Sequence, residues 1–173
     1  MIEKLEQIGL AFESNNRFHG SSDEEVRVDT PDSVRDELEI RNLIAKLAHL
    51  ADEDSDDLEA YLDCFTADGW REARFHLKDG SLSVTVDRGC DELREAATRR
   101  RARGLQGPGS QVLHAVNTTV VWIDGDTARA KSYWQTFQNI ESRPVLGHVG
   151  IYHDTFQRTP QGWKMTSRLA TDS

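Results

Sequence analysis

The clearest pattern of apolar and polar positions lies between Gln111 and Phe137, where two strand-like runs flank a tight turn. Residues 111–123 are rich in β-branched and apolar side chains, and Asp124-Gly125-Asp126 supplies the turn, since glycine accepts the positive φ a hairpin bend requires. Alternation on the return run puts Ala128, Ala130, Ser132 and Trp134 on one face and Arg129, Lys131, Tyr133 and Gln135 on the other. Small residues followed by a Trp on one face predict a concave surface, so this hairpin reads as the middle of a curved sheet.

Upstream the period changes to that of a helix. Ile2, Leu5, Ile8 and Phe12 predict a short amphipathic helix, followed by a polar linker that runs to Ser33, so residues 1–33 read as an extension and 34–173 as the folded domain. Ser33-Val34-Arg35-Asp36 resembles a capping box and opens a long helix with the stripe Ile40, Leu43, Ile44, Leu47, Ala48 and Ala51. That stripe breaks at Asp52-Glu53-Asp54-Ser55-Asp56. A second helix then starts with Asp56 as cap and Leu58, Tyr61, Leu62 and Phe65 as its buried stripe, ending at Thr66-Ala67-Asp68-Gly69. Residues 70–77 and 82–86 form a hairpin about Lys78-Asp79-Gly80-Ser81, residues 91–103 a third helix stopped by Gly104, and residues 147–158 and 163–169 two last strands. Helices first and long consecutive strands last predict an α+β domain. Its curved, mainly antiparallel sheet forms a cone with helices over the concave face, leaving an apolar cavity between the layers.

Composition adds exclusions. At 173 residues the chain fits one domain with a real core. A net charge of -9 argues against nucleic acid as a partner. No apolar run approaches the roughly 20 residues of a membrane span, and the mean hydropathy is -0.63. The first residues lack the basic start and apolar stretch of a signal peptide, and Cys64 and Cys90 make neither a metal spacing nor a disulfide framework. The expectation is a reduced, cytoplasmic protein. Arg99-Arg100-Arg101-Ala102-Arg103 reads first as a solvated helix end that complements the dipole, and second as a contact for phosphate or an acidic partner.

Several local signatures resemble the SnoaL-like branch of the nuclear-transport-factor-2-like superfamily. They are Glu39-Ile-Arg-Asn-Leu-Ile-Ala, then Asp52 with the segment 56–69, His114-Ala-Val-Asn117, the segment 124–134, and Tyr152-His-Asp-Thr-Phe-Gln-Arg-Thr with Gly162-Trp-Lys. The resemblance covers Asp36 to Leu169. It implies the cone-shaped α+β fold, and the same fold hosts cyclases, dehydratases, isomerases, dehydrochlorinases, epoxide hydrolases, dioxygenase β subunits and binding proteins. Self-association as a homodimer or other homo-oligomer is also expected from it.

The candidate chemistry is acid–base. In dehydratase-like and dehydrochlorinase-like relatives an Asp at the position of Asp52 works with a His from the central strands, here His114. An imidazole changes charge near neutrality and suits proton abstraction beside a carbonyl or assisted loss of water or halide. The plainer role for Asp52 is to end a helix in an acidic turn. Two departures from the family pattern stand beside this. The acting His of several relatives precedes the Asn by four positions, whereas His114 precedes Asn117 by three, which on a regular strand would put Leu113 in its place. Leu47 occupies the position at which many catalytic relatives carry a Tyr. Asn117 and Tyr133 are the candidates to orient a ligand, and Trp70 and Trp134, with Leu47, to wall the pocket. No metal signature, phosphate loop or nucleophile elbow is found, so cofactor-free chemistry is expected. The expectation is a cofactor-independent lyase or isomerase, dehydratase- or cyclase-like, acting on a small hydrophobic, polycyclic or steroid-like molecule. The alternative is a non-catalytic binding or assembly protein, including a dioxygenase β-subunit-like role.

Overall fold

The computed structural model describes residues 31–52 and 58–172, built as three helices and a six-stranded sheet. The predicted helix at residues 2–12 and the capping role of Asp56 lie outside the described residues. Helix α1 spans Pro31–Asp52, α2 Leu58–Leu62 and α3 Gly89–Ala102. The strands are β1 Phe65–His76, β2 Leu82–Arg88, β3 Val112–Asp124, β4 Thr127–Gln138, β5 Val145–Thr159 and β6 Gly162–Asp172. Their order across the sheet is β2-β1-β6-β5-β4-β3, antiparallel throughout except for the β1–β6 pair.

Helix α1 starts two residues before the expected Ser33. Pro31 takes the first helical position, where its missing N–H is no loss and its fixed φ suits the helix. The predicted stripe is the buried one: Ile40, Ile44 and Leu47 pack with Leu93, Ala97, Phe156 and Met165 in the main core, and Ala51 is buried as well. The buried carboxylate of Asp36 fastens the N-terminal end of α1, accepting from Arg158 Nη1 at 2.7 Å and from Trp163 Nε1 at 3.1 Å.

Helix α2 is shorter than its apolar spacing predicts. The chain leaves the helix after Leu62, and Phe65 pairs with Met165 on β6, so sheet formation overrides the helical period. The register of β1 against β6 shifts between Phe65 and Trp70, and at Gly69 an added Cβ would lie 2.9 Å from the Thr66 carbonyl oxygen. Thr66-Ala67-Asp68-Gly69 is therefore an irregular stretch of strand rather than a helix end.

The central hairpin is as read. Ala128, Ala130, Ser132 and Trp134 are buried on the concave face, and Gly125 makes the turn with φ +56°. Besides Gly147 on β5, two extra residues interrupt the antiparallel ladders among the described residues and reset which face later residues occupy. One lies at Thr118-Thr119 on β3, where Asn117 pairs with Tyr133 but Val120 with Lys131, and Thr118 has φ +50°. The other is Thr166 on β6, between the pairs Met165–Phe156 and Ser167–Thr155.

Candidate acid–base site

Asp52 is the last residue of α1, and β3 passes beside it. The backbone N–H of His114 donates to Asp52 Oδ2 at 2.5 Å, and His114 Nδ1 lies 2.5 Å from Asp52 Oδ1. Both carboxylate oxygens are thus committed to one residue. With an acceptor-only neighbour at Oδ1, the neutral ring carries its proton on Nδ1, and Nε2 keeps the lone pair. Nε2 has no hydrogen-bond partner among the described residues. Both side chains are largely shielded, at 18% and 17% exposure.

His114 lines a cavity of about 40 Å³ between the helices and the sheet. On the β3 ladder Val112, His114 and Val116 turn inward, whereas Leu113 is 43% exposed on the outer face. The inward position thus belongs to His114 and not to Leu113. The three-residue spacing to Asn117 has its ordinary consequence: Asn117 faces out and donates from Nδ2 to Gln135 at 3.3 Å. The extra residue on β3 falls after Asn117, too late to bring the two to one face.

Several other expected ligand contacts are corrected in the same way. Tyr133 is 47% exposed on the outer face. Trp70 pairs with Arg88 across β1 and β2, and the Arg88 guanidinium covers its ring at 5.5 Å, away from the cavity. Trp134 is on the inner face but lies beyond the cavity wall, stacked on Tyr152 with centroids 5.4 Å apart and edge-on to Phe75 at 5.9 Å. Its Nε1 is buried with no hydrogen-bond acceptor among the described residues. Leu47 does line the cavity, together with Ala48 and Ala51 of α1.

The opposite wall differs most from expectation. Instead of an apolar lining, Arg71 of β1, Arg100 of α3 and Arg168 of β6 all reach the cavity, with Tyr61, Tyr152 and Gln106 completing the polar surface. Sheet register explains the cluster. Asp87, Arg71, Arg168 and Asp154 are successive partners across β2, β1, β6 and β5, so the concave face carries a row of charges. Asp154, 1% exposed, accepts from Arg168 Nε at 2.8 Å and Nη2 at 2.7 Å. Burial opposes the charge on Arg168, but Asp154 more than offsets it, and the guanidinium is held more firmly protonated than usual. Arg168 also covers the Tyr152 ring at 4.0 Å, and burial pushes the Tyr152 phenol up, so it stays protonated as a donor.

The arginine run of α3 is a solvated helix end only in part: Arg99 and Arg103 are exposed, whereas Arg100 reaches the cavity. Arg99 Nη2 donates to Asp87 at 3.3 Å, and Arg100 Nε donates to the buried Gln106 at 2.8 Å. Burial, and then the Arg71 charge, lower the pKa of Arg100. The loop after α3 is pinned to the end of α1 by the Gly107 N–H, which donates to the Ala51 carbonyl at 2.7 Å. Sequence reasoning missed these arginines. For Arg71 a signal existed, since it shares strand parity with Ala73 and Phe75. Among the described residues no group of three or more His, Cys, Asp or Glu is placed to hold a metal ion, and no helix is long and apolar enough to cross a membrane.

Comparison with known proteins places the fold. A family model for a SnoaL-like domain matches residues 32–169. An NTF2-like protein with a cystatin-like fold from Novosphingobium aromaticivorans is 25% identical, with a TM-score of 0.66 over 84% of this chain and 91% of its own. A protein from the same organism, provisionally described as an aromatic ring hydroxylase, is 28% identical with a TM-score of 0.60, covering 83% and 92% of the two chains. A provisional dehydratase of the NTF2-like family from Streptomyces avermitilis shares the fold at 18% identity and a TM-score of 0.60, covering 83% and 99%. No curated protein matches the chain.

Proposed function

This chain belongs to the SnoaL-like domain family, and on that premise we propose that it is a lyase or isomerase working by proton transfer, with His114 as general base and Asp52 as its positioning residue. The observation that carries the reading is the double hydrogen bond from His114 to Asp52, made by a residue that lines the cavity. Asp52 fixes the tautomer and ring orientation, as the carboxylate does in a Ser-His-Asp triad, and leaves Nε2 to take a proton. Proton abstraction beside a carbonyl builds negative charge on the carbonyl oxygen. The cavity offers the guanidiniums of Arg71 and Arg100 and the phenols of Tyr61 and Tyr152 for that charge, in place of the tyrosine absent at Leu47. The chemistry is complete without a redox group. The substrate is a small molecule with a polar reacting end, its apolar part lying against Leu47, Ala51 and Val116. Its bulk exceeds the cavity as it stands, because about 40 Å³ holds only about three waters.

That small volume also favours a second reading, a binding or assembly protein whose cavity carries out no reaction. One assay separates the two. A panel of β-hydroxy and α-unsubstituted carbonyl compounds is incubated with the protein in D2O, and deuterium exchange or loss of water is followed by proton NMR. The catalytic reading expects exchange that His114→Ala lowers about 10²- to 10⁴-fold, with Asp52→Asn lowering it while leaving the fold intact. Exchange unchanged in His114→Ala, or absent with every compound, overturns it. We also read the outer sheet face, where Leu113, Val120, Trp122 and Tyr133 are exposed, as the surface for self-association. Sedimentation velocity reads that state directly, and a monomer at high concentration would refute it.

A further inference from the structure

The cavity holds more positive charge than its own carboxylates balance. Arg71 has no hydrogen-bond or ion-pair partner among the described residues, although it is half-buried and lines the cavity. Arg100 uses Nε on Gln106, and its Nη1 comes no nearer to a carboxylate than 3.9 Å, at Asp87. Asp87 is shared with Arg99 at 3.3 Å. Asp154 is committed to Arg168 through both oxygens, and Asp52 to His114. The acids around the cavity are therefore already engaged, while two guanidiniums face the same small space with most of their donors unused.

Drawing a guanidinium partly out of water with most of its donors unpaired is unfavourable, and an anion at the site would offset that cost. Its planar fork matches a carboxylate, which two such groups can hold from two sides. A cavity of about 40 Å³, with room for about three waters, admits a carboxylate. The Tyr61 and Tyr152 hydroxyls add donors at the same wall. The lowered proton affinity of Arg100, due to burial and then to Arg71, is what an anion between the two would relieve.

We propose that the cavity is a carboxylate subsite, in which Arg71 and Arg100 clamp the anionic group of a small carboxylic acid while His114 acts on a neighbouring carbon. The inference rests on the reading of His114 as the base, and it narrows the substrate from a hydrophobic molecule to an organic acid. Removing a proton from the carbon next to that carboxylate delivers a second negative charge to the same oxygens, and it is this added charge, not the one already bound, that the two arginines stabilise in the reaction.

The test uses the whole chain with acetate as the probe. The arginine Nε–H signals are followed by 15N-resolved NMR during titration with sodium acetate, with acetamide as the neutral isostere and sodium chloride as the ionic-strength control. The Arg71 and Arg100 signals are expected to shift saturably with acetate and with neither control. Arg71→Gln and Arg100→Gln are each expected to weaken acetate at least about tenfold, whereas His114→Ala keeps acetate binding. Arg71→Gln carries the test if Arg100→Gln fails to fold, because Arg71 leaves no partner behind. Acetamide binding as well as acetate, a response equal to that of chloride, or binding that survives Arg71→Gln overturns the proposal. Failures are separable: acetate bound normally with no compound turned over removes the base reading alone. Neutral ketones exchanged as fast as the matching keto acids remove the carboxylate subsite alone.

Discussion

Replacing Asp154 by Ala is the sharpest test of the charged row across the sheet. Asp154 is 1% and Arg168 7% exposed, so the substitution strands a guanidinium that burial already disfavours. Two hydrogen bonds, at 2.8 and 2.7 Å, disappear with the carboxylate, and no other acid among the described residues is uncommitted at that point of the sheet. Breaking one side of a buried pair costs about 3–5 kcal/mol, a large part of the roughly 5–15 kcal/mol available to a domain. The urea midpoint should fall by about 1 M or more, and Tm by roughly 6–20 °C for a chain of this size. The double variant Asp154→Leu with Arg168→Met removes both charges and keeps apolar volume, so it should be markedly more stable than Asp154→Ala. The assay is urea unfolding followed by tryptophan fluorescence and far-UV circular dichroism, with the slope m checked for two-state behaviour. A loss below about 1 kcal/mol for Asp154→Ala would mean that Arg168 reaches water or another acid. A double variant no better than the single would mean that the lost packing, not the orphaned charge, sets the penalty.

Two further outcomes follow from contacts elsewhere. The hydrogen bond from Arg158 holds the Asp36 carboxyl below the usual carboxylate range, against the opposing effect of its burial. Its stabilisation is fully present above the unfolded value of about 4 and is lost as pH falls through the lower folded value. Asp36→Asn should therefore cost roughly 1–3 kcal/mol at pH 7, with the gap to the native protein closing in strongly acidic urea titrations; a gap that persists there refutes the assignment. At Gly150 an added Cβ would lie 2.0 Å from the Thr171 carbonyl oxygen and 2.7 Å from the Trp134 ring. Gly150→Ala is expected to destabilise by about 3 kcal/mol or more, and a Tm within a degree or two of the native value would show that the backbone yields there.

The fold was legible where one period ran unbroken to its end. The stripe of α1 and the small residues of β4 kept their spacing, so their buried faces followed directly. The second helix misled because Leu58, Tyr61, Leu62 and Phe65 keep helical spacing although Phe65 already pairs with Met165 in the sheet. No local signal records that competition. Asp52 and His114 were legible as a pair through the family resemblance, but strand parity alone did not say which way His114 turned. Arg168 was hidden by Thr166: counting inward from Trp163 and Met165 assigns Ser167 to the core side, and only the extra residue turns Arg168 in. The expected apolar chamber failed for a related reason. Its three arginines come from three separate elements, β1, β6 and α3, whose side-by-side placement depends on the register of the sheet and on the packing of α3.

Because a single carboxylate grips both the main chain and the ring of His114, the seat of the long helix and the aim of the imidazole are mechanically one joint. The helix cannot slide along the sheet, nor the edge strand peel from it, without swinging the nitrogen that faces the cavity. On the proposed role of His114, damage to the packing of α1, even at Leu47, should therefore surface as misaligned chemistry before it surfaces as unfolding.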